Sequence, residues 1–187
     1  MRLCLCTILG LGILSFNSCS NGKIDGSKTN ADSLLTKTIT FPSNLTQLNG
    51  TSFQSIDSFL FNNDSKTKIV SIIDGTCAKC IINQMNKIDS TFGSILLDSD
   101  NIMVFILNVS QHDSAYFMRN LQPIINANGI ILWDNNYNFE RYNKLLTTDI
   151  NLRTFMVNKE NKIVQYGNPL MHPDAIWEYK AKLENNL

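Results

Sequence analysis

Residues 66–92 read KTKIVSIIDGTCAKCIINQMNKIDSTF, and this stretch organises the rest of the chain. It opens with the β-branched apolar run Ile69–Ile73, which is typical of a buried strand. Asp74 and two further residues break the run before Cys77-Ala78-Lys79-Cys80. Apolar residues then recur at helical spacing, at Ile81, Met85, Ile88 and Phe92. The pattern predicts two cysteines at the corner where a core strand turns into a helix.

That corner favours redox chemistry. The unpaired N–H groups and the dipole at the start of a helix stabilise a thiolate, which we assign to Cys77. Cys80 would lie one turn further in, within reach of a disulfide bond. Lys79, between the two cysteines, adds a positive charge from the solvent side. A redox-active dithiol is therefore the favoured interpretation.

Other interpretations of the cysteine pair carry less weight. A disulfide across so short a loop removes only about 2 kcal/mol of unfolded-chain entropy, against roughly 4–5 kcal/mol for a long loop. A structural zinc site needs about four ligands, yet the chain has no second CxxC, and His112 and His172 stand alone. We therefore expect no metal. Two buried, inert cysteines remain an open alternative.

The beginning of the chain has the pattern of an export signal. Residues 1–18 join an arginine to a short apolar run, which is too short to span a bilayer. The segment Ser15 to Cys19 resembles a loose bacterial lipobox, in which the cysteine is acylated and becomes the first residue of the mature chain. Cys4 and Cys6 would leave with the signal, so the mature chain would keep one lipid anchor and one CxxC pair. Simple cleavage, with Cys19 as a free thiol, is the alternative.

The remaining residues divide into a tether and a domain. Residues 19–33 are rich in Gly, Ser, Asn and Asp and predict a flexible tether. Residues 34–187 are enough for one domain with a sizeable core. Sixteen basic residues balance sixteen acidic ones, which argues against a nucleic-acid partner. The chain also shows no Gly-rich phosphate loop, and we expect no cofactor.

Hydrophobic patterns elsewhere predict an α/β fold with a central sheet covered on both faces and an antiparallel edge. Trp133, Trp177 and Tyr142 fall on apolar stripes, which predicts that they are core residues. The predicted strands are Thr38–Phe41, Ile69–Ile73, Ile102–Leu107, Ile130–Trp133, Arg153–Val157 and Ile163–Tyr166. The predicted helices carry Phe53 to Leu60 after a turn at Asn49-Gly50, Ile81 to Phe92, His112 to Gln122, Phe139 to Tyr142, and Pro173 to Leu183.

In this order the elements resemble the thioredoxin fold, and in particular the membrane-anchored, peroxiredoxin-related redoxin branch. Two segments carry the likeness besides the CxxC corner, namely LWDNNYNFERY at 132–142 and DINLRTFMVNKENKIV at 149–164. The resemblance implies a mixed sheet flanked by helices with an N-terminal strand extension. It also implies that Cys77 is the attacking thiol and Cys80 the resolving thiol.

The chain departs from that family at three places. Thr76 stands where thioredoxins usually have Trp before the first cysteine, and Ser71 stands where they have a buried carboxylate. Arg153 occupies the place of the usual cis-proline, and a cis bond before a non-proline residue costs about 2.5–4 kcal/mol, so we expect a trans peptide. Leu152-Arg153-Thr154 instead resembles the L-R-G segment of peroxiredoxins.

Arg153 and Asp74 each have two interpretations. Arg153 either faces the dithiol and favours its thiolate, or is a solvent-facing strand residue in a salt bridge. Asp74 either accepts a proton in place of the missing carboxylate or is a polar cap, and the cap is favoured.

The function that the resemblance implies is thiol–disulfide exchange in the cell envelope, with Cys77 and Cys80 reducing disulfides of exported proteins. A membrane donor would supply electrons, and Cys19 would hold the protein to the lipid membrane. The residue pattern does not fix the redox direction, because the potential depends on which redox form the fold stabilises. Three alternative functions remain: a thiol peroxidase, a lipid-anchored binding module without turnover, and a copper carrier. The copper carrier ranks last, because the chain lacks the CxxxC spacing that such carriers usually have.

Overall fold

The computed structural model describes residues 33–49, 52–74, 78–96, 101–109, 119, 127–145 and 149–185. The strands are β1 (Thr46–Asn49), β2 (Ser52–Ser55), β3 (Lys68–Asp74), β4 (Ile102–Asn108), β5 (Ile130–Asp134), β6 (Thr154–Val157) and β7 (Ile163–Tyr166). The helices are α1 (Ser58–Asn63), α2 (Ala78–Leu96), α3 (Asn138–Tyr142), a 3-10 helix (Ile150–Arg153) and α4 (Ala175–Asn185).

Within these residues the strands form one mixed seven-stranded sheet in the order β2-β1-β5-β4-β3-β6-β7. The central strands β3, β4 and β5 are parallel to one another. β6 and β7 continue the sheet antiparallel on one side, and the β1–β2 hairpin extends it antiparallel beyond β5 on the other. The predicted mixed sheet and N-terminal strand extension are both confirmed.

Two apolar layers cover the sheet, because alternate residues of each strand point to opposite faces. Ile69 and Ile73 of β3 lie in the layer under α2 and α4, whereas Val70 and Ile72 lie in the layer under α3 and the N-terminal segment. The helical stripe predicted after the cysteines faces the first layer, with Ile81, Met85, Ile88 and Phe92 all buried.

The predicted strand Thr38–Phe41 is wrong, since this segment makes only an isolated bridge from Thr38 to Lys162. Side-chain amides take the backbone bonds that a neighbouring strand would have taken. The N–H of Thr40 donates to Asn143 Oδ1 at 2.8 Å, and the N–H of Phe41 donates to Asn62 Oδ1 at 2.7 Å.

The predicted helix on Phe53 to Leu60 begins too early. Phe53 belongs to β2, where it lies opposite Leu48 of β1. The helix itself starts at Ser58, because the Asp57 carboxylate accepts the N–H of Leu60 at 3.1 Å and caps the first turn.

Two further predictions need correction. Arg153 ends the 3-10 helix and does not begin β6, because Asp149 caps this short turn by accepting the N–H of Asn151 at 2.9 Å. Trp177 and Tyr142 are 66% and 64% exposed, so they are not core residues. The buried residues of α4 are Ala175, Tyr179 and Leu183. Their four-residue spacing places Trp177 on the outward side of the helix. Trp133 is buried as predicted. The predicted helix from His112 to Gln122 lies outside the described residues.

Candidate functional site

Three polar residues lie side by side where the parallel strands end. In the sheet register Asp74 of β3 pairs with Asn108 of β4, and Asn108 pairs with Asp134 of β5. The carboxyl ends of parallel strands are the usual place for a functional site in an α/β fold. By strand alternation this polar row belongs to the face under α3.

α3 brings a fourth polar residue, Glu140, against the row. Glu140 is fully buried and Asn108 is 2% exposed. The Asn108 side-chain amide donates to Glu140 Oε2 at 2.5 Å and to Asp74 Oδ1 at 3.3 Å. One amide group therefore joins two carboxylates, and its orientation is set by them, because the opposite one would turn its oxygen toward both.

Asp134 has a different task, which is to anchor α3. Its carboxylate accepts the N–H of Phe139 at 2.8 Å and the side-chain amide of Asn138 at 3.1 Å. Tyr137, just before the helix, has the left-handed backbone conformation with φ 54° and ψ 33°, a conformation rare for a residue with a side chain. These contacts fix the start of α3 and thereby the position of Glu140.

Arg153 completes the cluster from the 3-10 helix. Its guanidinium forms a salt bridge with Asp74, and Nη2 lies 4.0 Å from Glu140 Oε1. The Arg153 side chain is 18% exposed and that of Asp74 is 35% exposed. The described residues contain no cis peptide bond, so the bond before Arg153 is trans, as expected. We call Asp74, Asn108, Glu140 and Arg153 the edge cluster.

The edge cluster holds two carboxyl groups and one guanidinium, and the buried Glu140 responds to the other two. Burial is the main reason why the pKa of Glu140 is raised. The charge of Arg153 and the hydrogen bond from Asn108 oppose that rise, while Asp74 and Asp134 add to it. Partial burial, followed by the charges of Asp74 and Glu140, likewise raises the pKa of Tyr137.

Of the predicted dithiol, the structure describes Cys80. It is the third residue of α2, is exposed and is disulfide-bonded. Lys79 beside it is also exposed. Every other cysteine lies outside the described residues, and so therefore does the partner of Cys80. The predicted site residues Cys77 and Thr76 and the predicted lipidation site Cys19 fall in those segments as well.

The edge cluster and Cys80 lie toward the same end of the sheet. Asp74 is the last residue of β3, and α2 begins at Ala78, only four residues later. Four extended residues span at most about 14 Å. α2 packs on one face of the sheet and the edge cluster lies on the other, and Asp74 is the member of the cluster that the chain itself holds within this distance of the start of α2.

The sequence interpretations of Arg153 and Asp74 each meet an unexpected arrangement. Arg153 does make a salt bridge, but from a largely covered position on a 3-10 helix and not from a solvent-facing strand. Asp74 is held by Arg153 and Asn108. Ser71, at the place of the missing carboxylate, is buried and bonded to the Thr154 hydroxyl at 3.1 Å.

Sequence reasoning missed Asn108 and Glu140. Asn108 had a usable signal, since it is the polar residue that ends a buried run, as Asp74 and Asp134 do. Glu140 had none, because its importance depends on how α3 is docked against the strand ends.

The described residues offer no metal site as an alternative to the dithiol. The described residues include no group of three His, Cys, Asp or Glu side chains placed to hold a metal ion. His172 is exposed in the loop before α4.

None of the helices that the structure describes has the length and apolar character needed to cross a membrane.

Comparison with known proteins gives a fold but no close relative. No family model matches the chain, and no curated protein matches it. Among solved structures, a thioredoxin-like protein from Porphyromonas gingivalis is similar at 16% identity with a TM-score of 0.54, covering 80% of this chain and 93% of that one.

Two further structures extend the likeness. The thioredoxin domain of a thiol-disulfide oxidoreductase from Bacteroides vulgatus is 13% identical with a TM-score of 0.50, covering 80% of this chain and 98% of that one. Peroxiredoxin Q from Xanthomonas campestris is 12% identical with a TM-score of 0.52, covering 75% and 92%. The resemblance read from the sequence is thus supported, and this chain has the thioredoxin-like fold.

Proposed function

We propose that the protein is a thiol–disulfide oxidoreductase that acts through Cys77 and Cys80. The observation that carries the proposal is Cys80 itself, which is exposed and disulfide-bonded in the first turn of the helix that follows the central strand β3. An exposed disulfide can be reached by a reducing thiol, and the helix start favours a thiolate once the bond is reduced. The thioredoxin-like fold supports a redox function in general.

In the proposed reaction the Cys77 thiolate attacks a disulfide of a partner protein. A mixed disulfide forms, and the displaced partner thiolate takes up a proton. Cys80, once deprotonated, attacks Cys77 in the mixed disulfide and releases the second partner thiol. The partner has then gained two electrons and two protons, and Cys77 and Cys80 are joined by a disulfide bond. A dithiol donor restores the reduced pair in the next cycle.

We further propose that the reaction takes place in the cell envelope on disulfides of exported proteins. The apolar leader at 1–18 and the lipobox-like segment ending at Cys19 support this location. Disulfides persist in such oxidising compartments, so a reductase there has substrates, and its electrons would come from a membrane donor. Radiolabelled fatty acid should enter the full chain, and Cys19→Ser should abolish both the label and membrane retention. Unchanged labelling of Cys19→Ser would contradict the anchor.

Reduction of a soluble disulfide protein, with dithiothreitol as electron source, tests the activity directly. The wild type should accelerate the reaction, Cys77→Ser should abolish the acceleration, and Cys80→Ser should accumulate the mixed disulfide. Equal rates for all three proteins would refute the proposal and leave a binding module. Rapid peroxide consumption without disulfide reduction would instead support the thiol peroxidase.

A further inference from the structure

The edge cluster contains two acidic side chains and one basic side chain, and its net charge depends on whether Glu140 carries a proton. Arg153 carries one positive charge and is committed to Asp74 by the salt bridge. Glu140 stands 4.0 Å from the other guanidinium nitrogen. With Glu140 protonated the cluster has no net charge, and with Glu140 ionised its net charge is −1.

Glu140 is poised to change between these states. Within the described part of the chain, Glu140 Oε1 and Asn108 Oδ1 are buried without a hydrogen-bond partner. A buried carboxylate with only one bonded oxygen is poorly compensated, which favours its protonated form. The charged and polar groups that face Glu140 come from three strands, the 3-10 helix and the residue before α3; they are Asp74, Asn108, Asp134, Arg153 and Tyr137.

We propose that Glu140 is a positioning residue of the exchange site, which acts through Arg153 and sets how readily Cys80 forms a thiolate. When Glu140 is neutral, Asp74 is the charged acidic residue of the edge cluster that opposes the Arg153 charge. When Glu140 ionises, it also draws on that charge, and the end of the sheet near the start of α2 becomes more negative. A more negative surrounding disfavours the thiolate and raises the pKa of the cysteine. The inference deepens the proposed function and rests on it.

The chain provides a direct readout. Trypsin cuts after Lys68, Lys79 and Lys87, so Cys77 and Cys80 fall on separate peptides, 69–79 and 80–87. Alkylation of the reduced full chain with iodoacetamide, followed by mass spectrometry of peptide 80–87, gives the rate at Cys80 for each pH. The signal of Cys80 is thus measured apart from that of Cys77, which is present in every variant compared, and no turnover of a disulfide substrate is needed.

The test compares Glu140→Gln with the wild type and with Glu160→Gln. Glu160 is exposed in the turn between β6 and β7, at the opposite end of the sheet, because Val157 pairs with Lys68. Both variants lose one acidic group, but only one of them loses it from the edge cluster. Glu140→Gln removes a negative charge whose effect on Cys80 is screened by solvent. Above the pKa of Glu140 we therefore expect Cys80 to be alkylated roughly two- to fivefold faster in Glu140→Gln than in the wild type.

The wild-type profile should depart from the profile of Glu140→Gln near the pKa of Glu140, and Glu160→Gln should show the same departure as the wild type. Profiles for Glu140→Gln and Glu160→Gln that superimpose would overturn the inference. Should Glu140→Gln not fold, Asp74→Asn gives a second test. It leaves Glu140 as the acidic partner of Arg153 within the edge cluster, so the departure should move to lower pH, and an unmoved profile overturns the inference. Failure of disulfide reduction with an altered Cys80 profile would reject the proposed function alone.

Discussion

Arg153, the last residue of the 3-10 helix, forms a salt bridge with Asp74, the last residue of β3. The two residues are 79 positions apart in the chain, yet the antiparallel pairing of β6 with β3 brings them together. The bridge therefore ties the segment before β6 to the strand that leads into the cysteine-bearing helix.

Removing the charge of Arg153 should make the cysteines less reactive. In Arg153→Gln two acidic groups remain near the start of α2 without their cation, so the pKa of Cys80 should rise. Alkylation of peptide 80–87 near neutral pH should slow by roughly threefold. Arg141→Gln is the matched control, because Arg141 is exposed on α3. A wild-type Cys80 pKa already near the free value of about 8.5 would remove the argument.

Glu140 should make stability depend on pH in a defined direction. Its pKa is raised in the folded chain, so the folded state holds the proton more tightly than the unfolded state. The resulting stability is complete below the ordinary value of 4.5 and is lost as pH rises through the folded pKa.

Glu140→Gln stays neutral and should escape that loss. Relative to the wild type its free energy of unfolding should increase between about pH 4 and about pH 8, by at most about 1.4 kcal/mol per pH unit. Urea unfolding at both pH values measures the difference, with Glu160→Gln as the control. A constant difference between wild type and variant would argue that Glu140 does not titrate in this range.

Lys68 should be a main stabilising residue at the opposite end of β3. Its side chain is fully buried, and the ammonium donates to the carbonyls of Asp64 and Lys66 at 3.0 and 3.2 Å and to Asn161 Oδ1 at 3.3 Å. Lys68→Ala removes the buried stem and leaves these acceptors without a donor, which should cost about 2–4 kcal/mol. Lys87→Ala, at an exposed position of α2, should change stability by less than about 0.5 kcal/mol in the same denaturation experiment.

The hydroxyl of Tyr179 should stabilise the packing of α4 on the sheet. It is buried and lies 2.9 Å from the Thr154 carbonyl and 3.0 Å from the Gly167 carbonyl, while its ring meets Phe92 of α2 edge-on. Tyr179→Phe keeps the ring contact and loses the donor, so thermal unfolding should show a loss of about 1 kcal/mol. Tyr166→Phe, at a half-buried position of β7, serves as the comparison, and an equal loss there would contradict this role.

Much of the fold follows from local pattern. The apolar runs ending at Ile73, Leu107 and Trp133 predicted the three parallel strands, because strands buried on both faces are continuous hydrophobic runs. The spacing of Ile81 to Phe92 predicted α2 and its buried face. At the wrongly predicted strand Thr38–Phe41 the local pattern failed because distant side chains bond the backbone, as Asn143 does for Thr40.

The amino-acid sequence alone determined the three central parallel strands, the helix after the cysteine pair and the position of that pair after the central strand, because periodicity and spacing are local properties of the chain. Only the tertiary structure decided that Asp74, Asn108, Glu140 and Arg153 form one cluster. Their meeting depends on strand register and on how α3 and the 3-10 helix dock at the strand ends. Buried charges interact through space, and no spacing along the chain records such neighbours.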